Sequence, residues 1–177
     1  MPGAAKKASA ATTNPKLPLK GRVAPDFILQ TDDDVPLKLS SLRGHVVVLF
    51  FYPKDDTPTC TEEACELRDA FPQFENVHAI VLGISPDTVR KHGKFRKKFA
   101  LPYHLLADTE HAVAEQYGVW AEKTFWGRKY MGVLRTTFVV DEHGKIAHVF
   151  DNVKARGHAA ELLTAVTALQ HRKRKHE

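Results

Sequence analysis

The sequence predicts an α/β domain in which a mixed central sheet carries helices on both faces. Apolar segments of strand length, "HVVVLFFYP" and "HAIVLGISPD", alternate with segments of helical spacing. The first is apolar on both faces, which is typical of an interior strand covered on both sides. Near the end, "RTTFVVDEHGKIAHVF" predicts an antiparallel hairpin that turns at 142–144. Strands that alternate with helices and then form a hairpin indicate a mixed sheet.

The other predicted elements are a turn, a third strand and three helices. An acidic turn is expected at 32–34, and "TVRKHGKFRKKFA" predicts an amphipathic helix with a strongly basic face. A third short strand is expected in "YHLLAD", and a short helix in "HAVAEQYG" should end at Gly118. The segment "GHAAELLTAVTALQ" predicts a closing helix, because its apolar residues recur at helical spacing: Leu162, Leu163, Val166 and Leu169.

Length and charge indicate one globular unit with basic ends. The chain has 177 residues, of which 43% are hydrophobic, enough for a single core. Residues 1–20 contain four lysines and no acid, and we interpret them as a disordered basic tail. Residues 171–177 are interpreted as a basic C-terminal tail of net charge +3, which leaves the domain at 21–170 with net charge −2. Nucleic acid is therefore not expected as the domain's partner, and any affinity for polyanions would belong to the tails.

The expected cellular location rests on three patterns that the sequence lacks: a membrane helix, a signal peptide and a disulfide framework. No stretch approaches the roughly 18 uninterrupted apolar residues of a membrane helix, and the N-terminus has no apolar core of a signal peptide. The two cysteines cannot form the disulfide framework of a small secreted domain. We expect no membrane partner and a reducing, cytoplasmic location. The alternative is the nucleus or an organelle, reached through the basic N-terminal tail.

Both cysteines lie in "TPTCTEEACE", residues 57–66. Thr59 followed by Glu62 fits the capping box, so a helix is expected to begin there with Thr59 as its N-cap. Cys60 then lies in the first turn, where unpaired N–H groups and the positive end of the helix dipole favour thiolate over thiol. This predicts that Cys60 is a nucleophile. Because Glu62 and Glu63 oppose the thiolate electrostatically, a further cation is expected near the sulfur.

The spacing of Cys60 and Cys65 limits what the pair can do. Five residues along one helix separate the two Cα atoms by about 8.6 Å. Disulfides need Cα atoms closer than about 7 Å. The two sulfurs therefore cannot bond while the helix is intact, and oxidation to a disulfide would have to unwind its first turns.

Other interpretations of the cysteines remain open at this point. Free cysteine is often an inert, buried core residue. Structural zinc needs four ligands in closely spaced pairs, and the chain has no second cysteine pair. A disulfide oxidoreductase favours Cys-x-x-Cys, whereas four residues separate these two.

The stretch "FFYPKDDTPTCTEEACELRD" resembles the peroxiredoxins, thiol peroxidases with the signature Pro-x-x-x-Thr-x-x-Cys. Pro53, Thr57 and Cys60 match its positions, and Cys65 narrows the resemblance to the bacterioferritin comigratory protein or peroxiredoxin Q branch. Further matching segments are "GRVAPDFIL", "VLGISPD", "YGVW" followed by "EK", and "GVLRTTFVVDEHGKI". The resemblance covers roughly residues 20–168 and implies a thioredoxin-like fold.

The resemblance implies a role for each matched residue. Cys60 would be the peroxidatic cysteine and Cys65 the resolving one, while Arg135 would supply the missing cation. Thr57 would hydrogen-bond the sulfur and the peroxide oxygen, and Pro53 would shield the pocket from water. In isolation, Arg135 would be a solvated strand residue, and Thr57 and Pro53 ordinary turn residues.

The implied reaction is the reduction of hydrogen peroxide and organic hydroperoxides. Cys60 would become a sulfenic acid, Cys65 would form an intramolecular disulfide with it, and thioredoxin or a similar dithiol would reduce that disulfide. The cycle needs no metal, haem or flavin, and the chain is expected to act as a monomer. Two positions depart from the family pattern. Thr59 stands where many relatives have glycine, and Pro72 could shorten the helix and ease its unwinding.

Overall fold

The computed structural model describes residues 17–176, so most of the predicted tail at 1–20 lies outside the described residues. In this part of the chain nine strands, four α-helices and one 3₁₀ turn (Leu39–Leu42) are formed. The strands are β1 (Ile28–Thr31), β2 (Pro36–Lys38), β3 (Val46–Phe51), β4 (Ala79–Ser85), β5 (His104–Ala107), β6 (Trp120–Phe125), β7 (Arg128–Val133), β8 (Thr136–Val140) and β9 (Ile146–Phe150). The helices are α1 (Pro58–Asn76), α2 (Val89–Phe99), α3 (Ala112–Gln116) and α4 (His158–His176).

The central sheet is mixed, which confirms the predicted fold class. Its strand order is β2-β1-β5-β4-β3-β8-β9. Strands β3, β4 and β5 are parallel, whereas β8 and β9 continue the sheet antiparallel beyond β3, and β1 and β2 do so beyond β5. The predicted hairpin is formed by β8 and β9. Strands β6 and β7 form a separate two-stranded hairpin.

Strand β3 is buried on both faces because each face is covered by helices. Its alternate residues Val46, Val48 and Phe50 belong to one apolar cluster, and Val47, Leu49 and Phe51 belong to another. The first cluster includes residues of α1, α2 and α4, namely Leu67, Phe74, Phe95, Leu162 and Val166. The second includes residues of α3 and the 3₁₀ turn, namely Val113, Ala114 and Leu39.

Helix α1 begins two residues earlier than the capping-box pattern predicted. Thr57 is the N-cap, with extended φ −93° and ψ 154°, and Pro58 is the first helical residue. The prediction that Thr59 caps the helix is therefore wrong. Proline is favoured at this position because its fixed φ suits the helix and its missing N–H would have no partner there. Cys60 still lies in the first turn, as predicted.

Pro72 does not end α1, which continues to Asn76. A proline inside a helix removes the backbone hydrogen bond to the residue four positions earlier, here Arg68. Phe74, which follows the proline, is fully buried in the cluster of α1, α2 and α4. Burial of this ring stabilises the last turn beyond the proline.

Helix α4 contains most of the segment interpreted as a C-terminal tail. The helix continues to His176, so the division drawn at residue 170 falls inside it. Lysine and arginine are good helix formers, and positive charges are favourable near the C-terminal end of a helix dipole. Lys173 also forms an ion pair with Glu142 in the β8–β9 turn, at 2.9 Å. Across residues 17–176, no helix combines the length and apolar character needed to cross a bilayer.

Candidate active site

The topology brings the ends of two sequence-distant segments together beside the start of α1. Phe51, the last residue of β3, is paired with Thr136, the first residue of antiparallel β8. Arg135 precedes Thr136, and the segment 53–57 follows β3 and leads into α1. A backbone hydrogen bond from Val153 to the Arg135 carbonyl, 3.0 Å long, also holds this position. The guanidinium of Arg135 is thereby placed against the first turn of α1.

Arg135 contacts the sulfur of Cys60 directly. Its Nη2 atom donates a hydrogen bond to Cys60 Sγ at 3.1 Å, and Cys60 is 3% exposed. The first intrahelical hydrogen bond runs from the Thr61 N–H to the Thr57 carbonyl, so the Cys60 N–H precedes the helical hydrogen-bond ladder. A fixed cation and the positive end of the helix dipole both favour a thiolate here. This is the cation that the sequence analysis required.

Glu63 is a member of this site that the sequence analysis treated only as an opposing charge. It is 1% exposed, and its Oε1 lies 3.4 Å from Arg135 Nη1. Neither carboxylate oxygen has a hydrogen bond of acceptable geometry, so this contact is an ion pair only. Burial raises the pKa of Glu63 to about 7, although the charge of Arg135 lowers it. The spacing of three residues from Cys60 was a usable signal, because positions i and i+3 share one helix face.

Thr57 and Pro53 lie in the segment before α1, and both are partly buried. The Thr57 hydroxyl donates to the Lys54 carbonyl at 2.9 Å. Its hydrogen is therefore used by the Lys54 carbonyl, while its oxygen keeps lone pairs for another donor. The structure brings Thr57 and Cys60 into neighbouring positions at the helix start.

Cys65 lies in α1 with Cys60, and both are free thiols. Cys65 is partly exposed, whereas Cys60 is buried. The turn that carries Cys65 is tied to the sheet, because the buried Tyr103 hydroxyl donates to the Ala64 carbonyl at 2.6 Å. Burial raises the pKa of Tyr103 well above its usual value, so the hydroxyl stays protonated and remains a donor.

Lys123 of β6 is a second cation near the sulfur, and the sequence analysis did not single it out. Its Nζ donates to the Val133 carbonyl at 3.0 Å. Burial lowers the pKa of Lys123, and so does the charge of Arg135, while the Cys60 sulfur raises it. It occurs in the "EK" that follows "YGVW", but only the β6–β7 pairing places it beside Arg135.

Among residues 17–176, two clusters of carboxylates and histidine lie close enough to hold a metal ion, and neither includes a cysteine. They are Asp32, Asp33 and His104, and Asp55, Asp87 and His92. In the first cluster, the negative charge of Asp32 is already paired with Arg96, whose Nη1 lies 2.8 Å from Asp32 Oδ2. The second is internally hydrogen-bonded, because Asp55 contacts both Asp87 and His92.

A thioredoxin-like sheet with a buried cysteine at a helix start, beside an arginine, is typical of enzymes that use a thiol as the reacting group. Residues 20–149 match the family model described as the AhpC/TSA family, and the chain belongs to this family of peroxiredoxins. It is a thiol-based peroxidase that acts on peroxides.

Similar proteins support this assignment over most of the chain. A putative peroxiredoxin bcp of Coxiella burnetii is 49% identical over 143 residues, 81% of this chain and 95% of the relative. Peroxiredoxin Bcp of Bacillus subtilis is 46% identical, covering 81% of this chain and 91% of the relative. A solved structure of the bacterioferritin comigratory protein of Xanthomonas campestris, studied for alkyl peroxide reduction, has a TM-score of 0.78 at 31% identity. That match covers 81% of this chain and 92% of the solved one.

Glu63→Gln should change how stability depends on pH. The folded-state pKa of Glu63, about 7, lies above the ordinary glutamate value of 4.5. The stabilising contribution of the protonated carboxyl is complete below about pH 4.5 and is lost as pH rises through about 7. Between those limits the wild type should lose up to about 3 kcal/mol of unfolding free energy relative to Glu63→Gln.

Urea unfolding of both proteins at several pH values measures this difference, and groups common to both proteins cancel. The matched control is Glu62→Gln, at the exposed neighbouring position. If the difference in unfolding free energy between the wild type and Glu63→Gln does not change with pH, the raised pKa of Glu63 is contradicted.

Proposed function

We propose that Cys60 is the peroxidatic thiol and that Arg135 and Thr57 assist its attack on a hydroperoxide. The thiolate attacks one peroxide oxygen, the O–O bond breaks, and Cys60 becomes a sulfenic acid while the other oxygen leaves as an alkoxide or hydroxide and takes up a proton. The contact of 3.1 Å between Arg135 Nη2 and Cys60 Sγ is the observation that carries this proposal. Thr57 would accept a hydrogen bond from the hydroperoxide, and Pro53 would exclude water.

Cys65 is proposed to resolve the sulfenic acid. Its thiolate attacks the Cys60 sulfur, the S–S bond forms, the S–O bond breaks, and the oxygen leaves as water after protonation. Both cysteines lie within α1, where helical geometry separates their Cα atoms by about 8.6 Å. The first turns of α1 must therefore unwind, and the Tyr103 hydrogen bond to Ala64 is one contact that resists this change.

An external dithiol of the thioredoxin type is proposed to reduce the disulfide. The partial exposure of Cys65 supports this proposal, because a dithiol must reach the disulfide to reduce it. Both cysteines of the cycle belong to one chain, which supports action as a monomer. Free thiols suit a reducing compartment, and we propose the cytoplasm.

Counting thiols after oxidation tests the proposed function. One equivalent of hydrogen peroxide should consume both free thiols, and the mass of the product should correspond to one intramolecular disulfide. Amide exchange at 59–67 should accelerate in this product, while exchange in β3 should not change. Two thiols remaining after peroxide treatment would contradict the function. Unchanged exchange at 59–67 in the confirmed disulfide would contradict the unwinding.

Arg135→Ala should slow the reaction of Cys60 with hydrogen peroxide by about two orders of magnitude, or about 2.7 kcal/mol. The cation that contacts the sulfur would be lost, and the thiolate fraction at neutral pH should fall with it. Stopped-flow kinetics gives the rate, and ultraviolet absorbance gives the thiolate fraction. Arg156→Ala, which removes an exposed arginine that pairs with Glu62, is the matched control. An unchanged rate and an unchanged thiolate fraction in Arg135→Ala would rule out this role.

A further inference from the structure

A buried polar cluster lies beneath the segment 53–57, and the proposed chemistry does not use it. The cluster consists of Tyr52, Asp55, Ser85, Asp87 and His92, whose exposed fractions are 1%, 8%, 1%, 8% and 0%. Tyr52 directly follows β3, Asp55 lies in the segment 53–57, Ser85 ends β4 with Asp87 just after it, and His92 belongs to α2. Burying so many polar groups is costly unless each has a partner.

His92 connects two acceptors in this cluster. Its Nδ1 lies 2.7 Å from Asp55 Oδ2, and its Nε2 lies 3.0 Å from the Leu106 carbonyl oxygen. A carbonyl only accepts, so Nε2 carries a hydrogen, and a second proton lies between Nδ1 and the carboxylate. The Tyr52 hydroxyl donates to Asp55 Oδ1 at 2.6 Å, which favours the ionised carboxylate. These contacts describe a buried His92–Asp55 pair that shares one proton.

Asp55 is held through its backbone as well. Its N–H donates to Asp87 Oδ2 at 2.8 Å, and the same oxygen accepts a hydrogen bond from Ser85 Oγ at 2.7 Å. Asp55 is thus fixed at its carboxylate by α2 and at its backbone by the residues that follow β4. Thr57 is only two residues further along the chain.

The segment needs such anchors because it contains a strained residue. Asp56 has φ 58°, in the left-handed region that costs a residue with a side chain about 1–2 kcal/mol. Conformations of this kind persist when the surrounding structure holds them. Lys98 of α2 contacts Asp56 Oδ2 at 2.7 Å, so α2 supports the segment at two consecutive residues.

We propose that His92 is a positioning residue for peroxide reduction: as an imidazolium paired with Asp55, it fixes the segment that presents Pro53 and Thr57 to Cys60. The inference rests on the proposed function only in taking Cys60 as the reacting thiol. The hydrogen bonds of the His92 ring go to Asp55, Tyr52 and the Leu106 carbonyl, and not to the Cys60 sulfur. Its effect passes through Asp55, whose position sets the path of the chain to Thr57.

Two substitutions at His92 separate positioning from general stability. The amide nitrogen of asparagine lies near the place of Nδ1, and that of glutamine lies near the place of Nε2. His92→Asn therefore keeps a donor towards Asp55, whereas His92→Gln keeps a donor towards the Leu106 carbonyl. Each variant loses one of the two hydrogen bonds, and His92→Gln should lose more unfolding free energy than His92→Asn because it leaves the buried Asp55 carboxylate without its histidine partner.

The rate of Cys60 oxidation by hydrogen peroxide should fall about tenfold in His92→Gln and less than about threefold in His92→Asn. Amide exchange at Asp55 should accelerate in His92→Gln alone, a result that does not depend on peroxide chemistry. Urea unfolding confirms that both variants are folded under assay conditions. Equal rate losses in the two variants, or no loss in either, would overturn the proposal. Retained activity of Cys60→Ser would instead overturn the proposed function.

The charge state of the pair is tested with Asp55→Asn. Asparagine can accept from Tyr52 and donate to a neutral His92, so the hydrogen bonds survive without charge. Nitrogen NMR shifts of His92 should show two protonated ring nitrogens in the wild type and one in Asp55→Asn. An unprotonated ring nitrogen in the wild type would overturn the imidazolium assignment.

Discussion

Replacing Cys60 with serine should abolish peroxide reduction, the largest effect expected for any single substitution. A serine hydroxyl is not ionised at neutral pH, so neither Arg135 nor the helix dipole can make it a comparable nucleophile. The exchange of sulfur for oxygen is small, and Cys60→Ser should keep the wild-type fold. The measurement is peroxide consumption with a dithiol reductant, together with circular dichroism. Turnover above the uncatalysed rate in the folded variant would remove Cys60 from the reaction.

Cys65→Ser should stop the cycle after one turnover. Cys60, Arg135 and Thr57 remain, so the first attack on the peroxide should proceed at close to the wild-type rate. The sulfenic acid then lacks its internal thiol and should persist, or oxidise further to sulfinic acid if peroxide is in excess. Mass spectrometry should show one added oxygen per chain, and steady-state turnover with thioredoxin should be lost.

A small thiol is the control for this second variant. It can form a mixed disulfide with Cys60 and restore slow turnover, which shows that the first step survives. Normal turnover of Cys65→Ser with thioredoxin alone would mean that Cys65 is not the resolving residue. Cys60→Ser is the comparison that separates the two thiols. Its remaining thiol, Cys65, should react with peroxide much more slowly than Cys60 does in Cys65→Ser.

Local sequence patterns predicted most strands of the sheet, and they also predicted helices α2 and α4. The apolar run before Pro53 forms β3, and the basic amphipathic pattern forms α2. Cys60 was correctly placed in the first turn of a helix. Each of these predictions depends on contacts between residues near one another in the chain, or on an apolar pattern that a single element displays by itself.

The helix boundaries were less predictable, because tertiary contacts compete with local preference. Pro72 is a strong local signal for the end of a helix, yet burial of Phe74 stabilises a further turn. At the other end of α1, both Thr57 and Thr59 offer a capping hydroxyl, and Pro58 at the first helical position decides between them. Lys173 likewise pairs with Glu142, which lies in a different element.

The sequence by itself determined the nucleophile's position at a helix start, the double-sided burial of β3, and a cysteine spacing that excludes a disulfide in an intact helix. The family resemblance assigned Arg135 to the sulfur, but only the tertiary structure shows how charges from distant segments pack there. Arg135 contacts Cys60 because β8 runs antiparallel to β3, and the same packing buries Glu63 beside it. His92 meets Asp55 by a similar long-range pairing, across 37 residues. Charges that lie far apart in the chain come together only when the sheet and its helices have packed, so no local pattern specifies them.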